Sequence, residues 1–193
     1  MSEGSEFGDR CPVCLGITTV VARASLEQEP LPDTASGVSA PGPAALLDNI
    51  RSAWNVGSIF RSAEGFGLRH IYLGGITPTP ENVQVRKSAL GAENVVPWSS
   101  HRNAVELLHE LRARGSTVWA LERTEKSLSI ESALAQEALP SGLVLVVGNE
   151  QAGIDPGILD LADRIVHLPM EGWKRSFNVA VAFAVAAHAL KTH

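Results

Sequence analysis

Residues 44–67 read AALLDNIRSAWNVGSIFRSAEGFG, which predicts a short apolar strand over Ala44–Leu47 and a helix over Val56–Phe66. Ligands of open α/β sheets bind in the crevice beyond the carboxyl ends of the strands. Asn55 and Arg61 stand six residues apart, near the first turns of this helix. Because an arginine has a permanent charge and a fork of donors that fits phosphate, the segment indicates chemistry on a phosphate-bearing substrate.

Short apolar runs alternate with helical patterns from Ala44 onward. This alternation is typical of an α/β fold with a mostly parallel sheet and helices on both faces. The continuous run at Leu143–Val147 predicts a central strand that is buried on both sides. The other predicted strands are His70–Leu73, Asn94–Pro97, Thr117–Leu121 and Arg164–Leu168. The other predicted helices are Pro80–Ser88, Arg102–Arg114, Asp155–Leu161 and Phe177–Leu190.

The first 43 residues differ in composition from the rest of the 193-residue chain. They hold six acids and two bases, and residues 27–43 are rich in Pro, Ser, Gly and Ala. We therefore predict a flexible acidic tail over 1–43 and one domain over 44–193. The domain is close to neutral, so we do not expect it to bind polyanions strongly and nonspecifically. It could still bind RNA through a local cluster of basic residues.

The sequence contains neither an apolar run long enough to span a membrane nor a recognisable secretion signal. We expect a soluble, cytoplasmic protein. Cys11 and Cys14 have the spacing of half a zinc site, but such a site needs four ligands and the chain has no second cysteine pair. We therefore predict no metal site, while two tails of a dimer that jointly supply four thiolates remain an alternative.

The predicted central strand runs directly into Gly148-Asn149-Glu150. A glycine at the carboxyl end of a strand lets a ligand approach the backbone closely. Glu150 then faces the same crevice as Arg61, unless it is merely a solvated acid in a turn. Further along, Ser176 is suited to cap the last helix. Asn178 needs a hydrogen-bond partner because it opens a buried helix.

The last helix is apolar on all sides from Val179 to Leu190, apart from one histidine. A helix of this kind must be buried on nearly every face. In a domain of this size, that burial predicts contact with a partner subunit.

Arg86 and Lys87 could contact phosphates, or could be basic residues that the helix dipole favours at a helix end. Trp173 could stack on a base or be buried.

Three motifs in order make the stretch from about Ala44 to Leu190 resemble the SpoU/TrmH group of the SPOUT methyltransferases. The first is Asn55…Arg61 within Asn-Val-Gly-Ser-Ile-Phe-Arg-Ser-Ala. The second is Leu-Val-Leu-Val-Val-Gly-Asn-Glu, which ends at Glu150. The third is Leu-Pro-Met-Glu-Gly at 168–172, followed by Ser-Phe-Asn-Val-Ala-Val-Ala at 176–182. The Ser-Ala-Leu-Gly-Ala turn at 88–92 is similar to a further family feature.

The resemblance implies a 2′-O-ribose methyltransferase that acts on tRNA or rRNA with S-adenosylmethionine. It also implies a deep trefoil knot near the carboxyl end of the chain, which spacing alone would never predict. It implies a homodimer in which the last helix packs at the interface, as the apolar character of that helix also suggests. Two alternatives stay open, namely a catalytically inactive knotted RNA-binding module and a methyltransferase for a protein or a small molecule.

The resemblance also assigns roles to single residues. Arg61 is the implied catalytic arginine, and Asn55 holds its guanidinium, while Glu150, Ser176 and Asn178 support the active site. Cofactor contacts are implied at Leu121, Gly148, Asn149, Ile165, Leu168, Met170, Ser176 and Asn178. The basic residues expected to contact RNA are Arg51, Arg61, Arg86, Lys87, Lys174 and Arg175.

Overall fold

The computed structural model of the chain describes residues 42–136, 138–174 and 176–193. Within these ranges, seven strands form one parallel sheet in the order β3-β2-β1-β6-β4-β7-β5. The sheet therefore confirms the predicted parallel α/β class. The strands are Ala44–Asp48 (β1), His70–Gly74 (β2), Trp98–His101 (β3), Thr117–Leu121 (β4), Leu128–Ser129 (β5), Leu143–Val147 (β6) and Arg164–His167 (β7).

Helices cover both faces of this sheet, as predicted. The helices are Ala53–Phe66 (α1), Val83–Ala89 (α2), Ala104–Ala113 (α3), Ile130–Gln136 (α4), Pro156–Leu161 (α5) and Val179–Thr192 (α6). Side chains of α1, α2, α4 and α6 pack with alternate strand residues in one core, while α3 and α5 pack in the other. All five residues of β6 are buried because this strand lies in the middle of the sheet with a core on each face.

The predicted strand over Asn94–Pro97 is wrong. Residues Ala92–Asn94 form a 3₁₀ turn, and the strand begins only at Trp98. Gly91 has a φ of 96° in the left-handed region, and its N–H donates to the side chain of Glu93 at 2.9 Å, so the chain turns here before it can extend. The sequence reading also missed β5 and α4, because two residues of strand are too few to show an alternating pattern.

Helix α1 begins at Ala53, three residues before its predicted start. Ser52 caps it, accepting a hydrogen bond from the N–H of Asn55 at 3.3 Å. The helix ends at Gly67, which has a φ of 73° and suits the left-handed cap.

The acidic tail, with Cys11 and Cys14, lies almost entirely outside the described residues. No described helix is both long and apolar enough to cross a membrane.

Helices α1 and α2 approach each other most closely at Gly57. A Cβ at this position would overlap the Ser88 hydroxyl and the Val85 carbonyl oxygen, and would lie 2.8 Å from the Ala89 nitrogen. We expect Gly57→Ala to lower the free energy of unfolding by about 1–3 kcal/mol, because two of these three atoms belong to the backbone and cannot rotate away. Urea unfolding followed by circular dichroism would measure this loss.

Gly65 is the matched control in the same helix. A Cβ there meets nothing within 4 Å. Gly65→Ala should therefore raise the free energy of unfolding by about 0.5–1 kcal/mol, which is the usual gain for alanine in a helix. If both variants were stabilised, the tight packing between α1 and α2 would be contradicted.

Candidate active site

A cavity of about 370 Å³ opens at the carboxyl edge of the sheet. The segments that follow β4, β6 and β7 form its wall together with the start of α6. These segments include residues of the second and third sequence motifs, while the first motif lies in α1 outside the cavity wall. The lining residues are Leu121, Glu122, Arg123, Val147, Gly148, Asn149, Glu150, Gln151, Gly153, His167, Leu168, Met170, Ser176, Phe177, Asn178, Val179 and Ala182.

The loop after β6 closes on itself. The N–H of Asn149 donates to the carbonyl of Gly153 at 3.0 Å, and the N–H of Gly153 donates back at 2.9 Å. A Cβ at Gly148 would lie 2.5 Å from the backbone of Gly153 and of Ile154, so only glycine allows this closure. The Asn149 side chain accepts from the N–H groups of Gln151 and Ala152 and donates to the carbonyl of Asn49 at 2.7 Å. Its polar atoms therefore shape the loop.

Glu150 joins this loop to the start of α1. Its carboxylate accepts hydrogen bonds from the N–H of Arg51 at 3.0 Å, from the N–H of Ser52 at 3.1 Å and from the Asn55 side chain at 2.9 Å. Asn55 in turn accepts from the side-chain amide of Asn178 at 3.1 Å. The three motifs are thus tied together by one chain of side chains, Glu150–Asn55–Asn178.

The cap of α6 is Asn178 and not Ser176, which corrects the sequence reading. The Asn178 side-chain oxygen accepts from the N–H groups of Ala180 at 2.9 Å and Val181 at 3.4 Å. The helix begins two residues later than predicted, so Ser176 lies in the preceding loop and lines the cavity. The predicted need of Asn178 for a partner is confirmed, since its amide nitrogen is the one that binds Asn55.

Hydrogen bonding controls the ionisation of Glu150. Burial raises the pKa of this carboxyl, but the donors on Arg51, Asn55 and Ser52 outweigh it and hold the pKa below the ordinary value of 4.5. A carboxylate with a lowered folded-state pKa stabilises the fold above its unfolded-state pKa. This contribution is lost as the pH falls through the folded-state pKa.

We therefore expect the free energy of unfolding to fall more steeply for the wild type than for Glu150→Gln between about pH 5 and about pH 3. The difference should stay within about 1 kcal/mol, because the side chain is exposed to solvent. Urea unfolding of both proteins across this pH range would measure it. Parallel curves would show that Glu150 carries no depressed pKa.

Arg61 is exposed on α1 and does not line the cavity. It makes no hydrogen bond or ion pair with any residue that the structure describes. Six residues of helix separate it from Asn55 by about 240° around the axis, so the two side chains leave α1 on different sides. Asn55 therefore contacts Glu150 and Asn178 within its own chain, and no contact with the Arg61 guanidinium is formed there.

The other predicted basic residues differ in their surroundings. The Arg51 guanidinium donates to the Gln151 side chain at 3.0 Å, beside the cavity. The Arg86 guanidinium donates hydrogen bonds to the carbonyls of Pro80 and Glu81 at 2.7 and 2.9 Å, in the turn before α2.

Lys87 is exposed, and the Lys174 ammonium lies 4.7 Å from the ring centre of Trp173. Arg175 lies outside the described residues.

The predicted cofactor residues line the cavity with one exception. Ile165 instead packs against the core formed with α3 and α5. The sequence reading did not assign Glu122, Arg123 or His167, which also line the cavity. Glu122 and Arg123 directly follow β4, so the rule that ligands bind beyond the carboxyl ends of strands could have found them. Groups of three or more metal-ligating side chains are absent from the described part of the chain.

Comparison with known proteins places the chain in a family. A profile of the SpoU rRNA Methylase family matches residues 43–188. The 23S rRNA (guanosine(2553)-2'-O)-methyltransferase RlmP of Bacillus subtilis is 30% identical over 148 residues, which cover 76% of this chain and 56% of that protein. The tRNA (guanosine(18)-2'-O)-methyltransferase TARBP1 of Mus musculus is 31% identical over 133 residues, which cover 68% of this chain and 8% of that protein.

The solved structures show the same fold. The AdoMet-bound rRNA methyltransferase from Sinorhizobium meliloti superposes with a TM-score of 0.73 at 26% identity, over 79% of this chain and 56% of that chain. The present chain thus spans little more than half the length of these bacterial relatives. The matched region nevertheless runs from β1 into α6 and includes every segment of the cavity wall. The chain belongs to the SpoU rRNA methylase family.

Proposed function

We propose that the chain is an S-adenosylmethionine-dependent methyltransferase that acts on a ribose 2′-hydroxyl of tRNA or rRNA in the cytoplasm. The observation that carries this proposal is the Glu150–Asn55–Asn178 chain at the mouth of the cavity, which joins all three family motifs. Family membership and the named relatives, which methylate guanosine riboses in rRNA or tRNA, support it. We also propose one catalytic domain over 44–193, preceded by the acidic tail.

The cavity suits S-adenosylmethionine. Its wall combines apolar side chains with the carboxylates of Glu122 and Glu150, which matches a ligand that joins an adenine ring to cationic sulfonium and ammonium groups. Gly148, Leu121, Leu168 and Met170 lie in this wall and would hold the cofactor. When bound, this cofactor supplies a methyl group on its sulfonium sulfur.

A deep C-terminal trefoil knot at the carboxyl end of the sheet belongs to this proposal. Support comes from the way in which the loops after β4, β6 and β7 close around one cavity although they are far apart in sequence. The family's solved structures share the fold.

Methyl transfer forms an oxygen–carbon bond, breaks the carbon–sulfur bond and releases the hydroxyl proton. The Arg61 guanidinium would bind the ribose or its phosphate, and its permanent charge would stabilise the 2′-oxygen as the hydroxyl proton leaves. Asn55, Glu150 and Asn178 would fix the start of α1 against the cavity, and Ser176 would support the loop before α6. Holding the two reactants in line can itself contribute roughly 7–11 kcal/mol to catalysis.

A homodimer through α6 completes the proposal. Within one chain, α6 buries Phe183, Ala186 and Leu190 but leaves an apolar stripe of Val181 and Val185 exposed by 49 and 48%, and Phe177, which is 44% exposed, lies in the loop just before the helix. Val181 and Val185 are four residues apart, so they share one side of the helix. Because Arg61 does not line the cavity of its own chain, we propose that it serves the cavity of the partner subunit.

RNA would reach the cavity past the loop that precedes α6. Trp173 is 89% exposed there, and Lys174 lies over its ring. An aromatic ring with a cation suits a stacked base and its phosphate. The remaining basic residues proposed to contact RNA are Arg51, Arg61, Arg86, Lys87 and Arg175.

Methyl transfer from labelled S-adenosylmethionine to bulk rRNA and tRNA would test this function. Digestion of the RNA to nucleosides followed by mass spectrometry should reveal 2′-O-methylated ribose. An inactive RNA-binding module would bind RNA without transferring label, and label on protein or on small molecules would point to a different substrate class. Either result, with the cofactor bound, would overturn the proposal.

A further inference from the structure

His167 lines the cavity at the end of β7, and the mechanism above gives it no role. Its Nδ1 lies 2.9 Å from the Ser127 hydroxyl oxygen. Ser127 itself does not line the cavity. Nδ1 of the imidazole is therefore engaged by the Ser127 loop, which leaves Nε2 as the ring nitrogen that is free to meet a ligand in the cavity.

The surroundings of Ser127 determine which ring nitrogen carries a proton. The Ser127 oxygen lies 2.8 Å from the Thr124 carbonyl and accepts the Thr124 N–H at 3.1 Å. A hydroxyl has one proton to donate, and a carbonyl has none. The proton between Ser127 and Thr124 must therefore come from Ser127. Ser127 and His167 then form a hydrogen bond only if Nδ1 of His167 is protonated and donates to the Ser127 oxygen.

A neutral His167 with a proton on Nδ1 presents Nε2 as a hydrogen-bond acceptor. Within the described residues this Nε2 makes no hydrogen bond. The tautomer is thus fixed from the side away from the cavity, and an acceptor without a partner is left beside it.

We propose that His167 Nε2 accepts a hydrogen bond from an uncharged donor on the adenosine part of S-adenosylmethionine, either the adenine amino group or a ribose hydroxyl. This inference rests on the proposed function. A neutral acceptor suits an uncharged donor, while the ammonium of the methionine part is better matched by a carboxylate such as Glu122 in the same wall. Leu121 and Leu168, which are near neighbours of His167 in that wall, suit the apolar faces of an adenosine.

Two substitutions separate the acceptor from the rest of the ring. His167→Asn keeps an amide N–H close to the place of Nδ1, so the bond to Ser127 can persist, but it has no atom at the place of Nε2. His167→Gln puts an amide group near that place. We expect the Kd for S-adenosylmethionine, measured by calorimetry, to rise about three- to tenfold in His167→Asn and by less in His167→Gln.

5′-Methylthioadenosine, which lacks the amino-acid part, shows which donor is involved. Its Kd should rise by the same factor as that of S-adenosylmethionine in His167→Asn. A loss confined to S-adenosylmethionine would identify the ammonium as the donor and overturn the inference. An unchanged Kd for both ligands would overturn it as well. If instead the wild type bound neither ligand, the proposed function would fail first.

The ¹⁵N shifts of the imidazole give a readout that a merely structural role would not move. In the free protein, Nδ1 of His167 should carry the proton, and the Nε2 resonance should shift when 5′-methylthioadenosine binds. Ser127→Ala removes the group that fixes the tautomer, so it should increase the fraction of the other tautomer and weaken binding by a smaller factor. A proton on Nε2 in the free wild-type protein would contradict the assignment.

Discussion

Arg61→Ala should lower the rate of methyl transfer to RNA by about 10²–10³-fold, because a preorganised charge at the reacting oxygen is worth about this much. Binding of S-adenosylmethionine should stay within about twofold of the wild type, since Arg61 does not line the cavity of its own chain and forms no hydrogen bond or ion pair with the described residues of the cavity wall. Single-turnover transfer to RNA and calorimetry with the cofactor alone would measure the two effects separately.

Two further variants sharpen the experiment on Arg61. Arg61→Lys keeps the charge but loses the fork of donors, so its rate should fall between those of the wild type and Arg61→Ala. Arg102→Ala is the matched control, because Arg102 is exposed after β3 and lies outside the cavity wall. It should leave both measurements unchanged. Equal losses of rate and of cofactor binding in Arg61→Ala would refute a role in the chemical step.

Much of the site could be predicted from the sequence, because short motifs with fixed spacing identify the residues that follow the carboxyl ends of the strands. Gly148 is such a case, since the close approach of Gly153 leaves no room for any other residue. The contact between Asn55 and Asn178 joins positions 123 residues apart. The sequence predicted that Asn178 needs a hydrogen-bond partner, but it did not predict that the partner is Asn55. Ser176 shows the limit of this reasoning, because two capping residues two positions apart look equivalent in sequence.

The missed features have local physical causes that composition does not show. The shift of β3 depends on the left-handed conformation of Gly91, and the start of α1 depends on which hydroxyl accepts the N–H of Asn55. The sequence does not indicate a role for His167, because nothing in it links this residue to Ser127, which lies 40 residues earlier. The separation of Arg61 from Asn55 around α1 follows from helical spacing alone.

The exposed stripe on α6 leads to the second large effect. In the proposed dimer, Val181→Glu should separate the subunits into monomers, because burying an unpaired carboxylate between two apolar surfaces costs several kcal/mol. Val83→Glu is the matched control, since Val83 on α2 is also 49% exposed and receives the same substitution. It should remain a dimer. Sedimentation equilibrium would distinguish the two, and a wild type that is monomeric would refute the stripe as an interface.

Mixed dimers test whether Arg61 serves the other subunit. Gly148→Val should distort the loop that forms the cavity wall of its own chain and so inactivate that cavity, because even a Cβ would lie 2.5 Å from the backbone of Gly153. A heterodimer of one Arg61→Ala chain and one Gly148→Val chain then keeps one intact cavity, and the only intact Arg61 belongs to the other subunit. If Arg61 acts across the interface, the purified heterodimer should show about half the wild-type transfer rate, since one of two symmetric sites survives. If Arg61 acts within its own chain, the heterodimer should be as inactive as either parent. Adding Val181→Glu to both chains should abolish the recovered activity, which ties the effect to the α6 stripe.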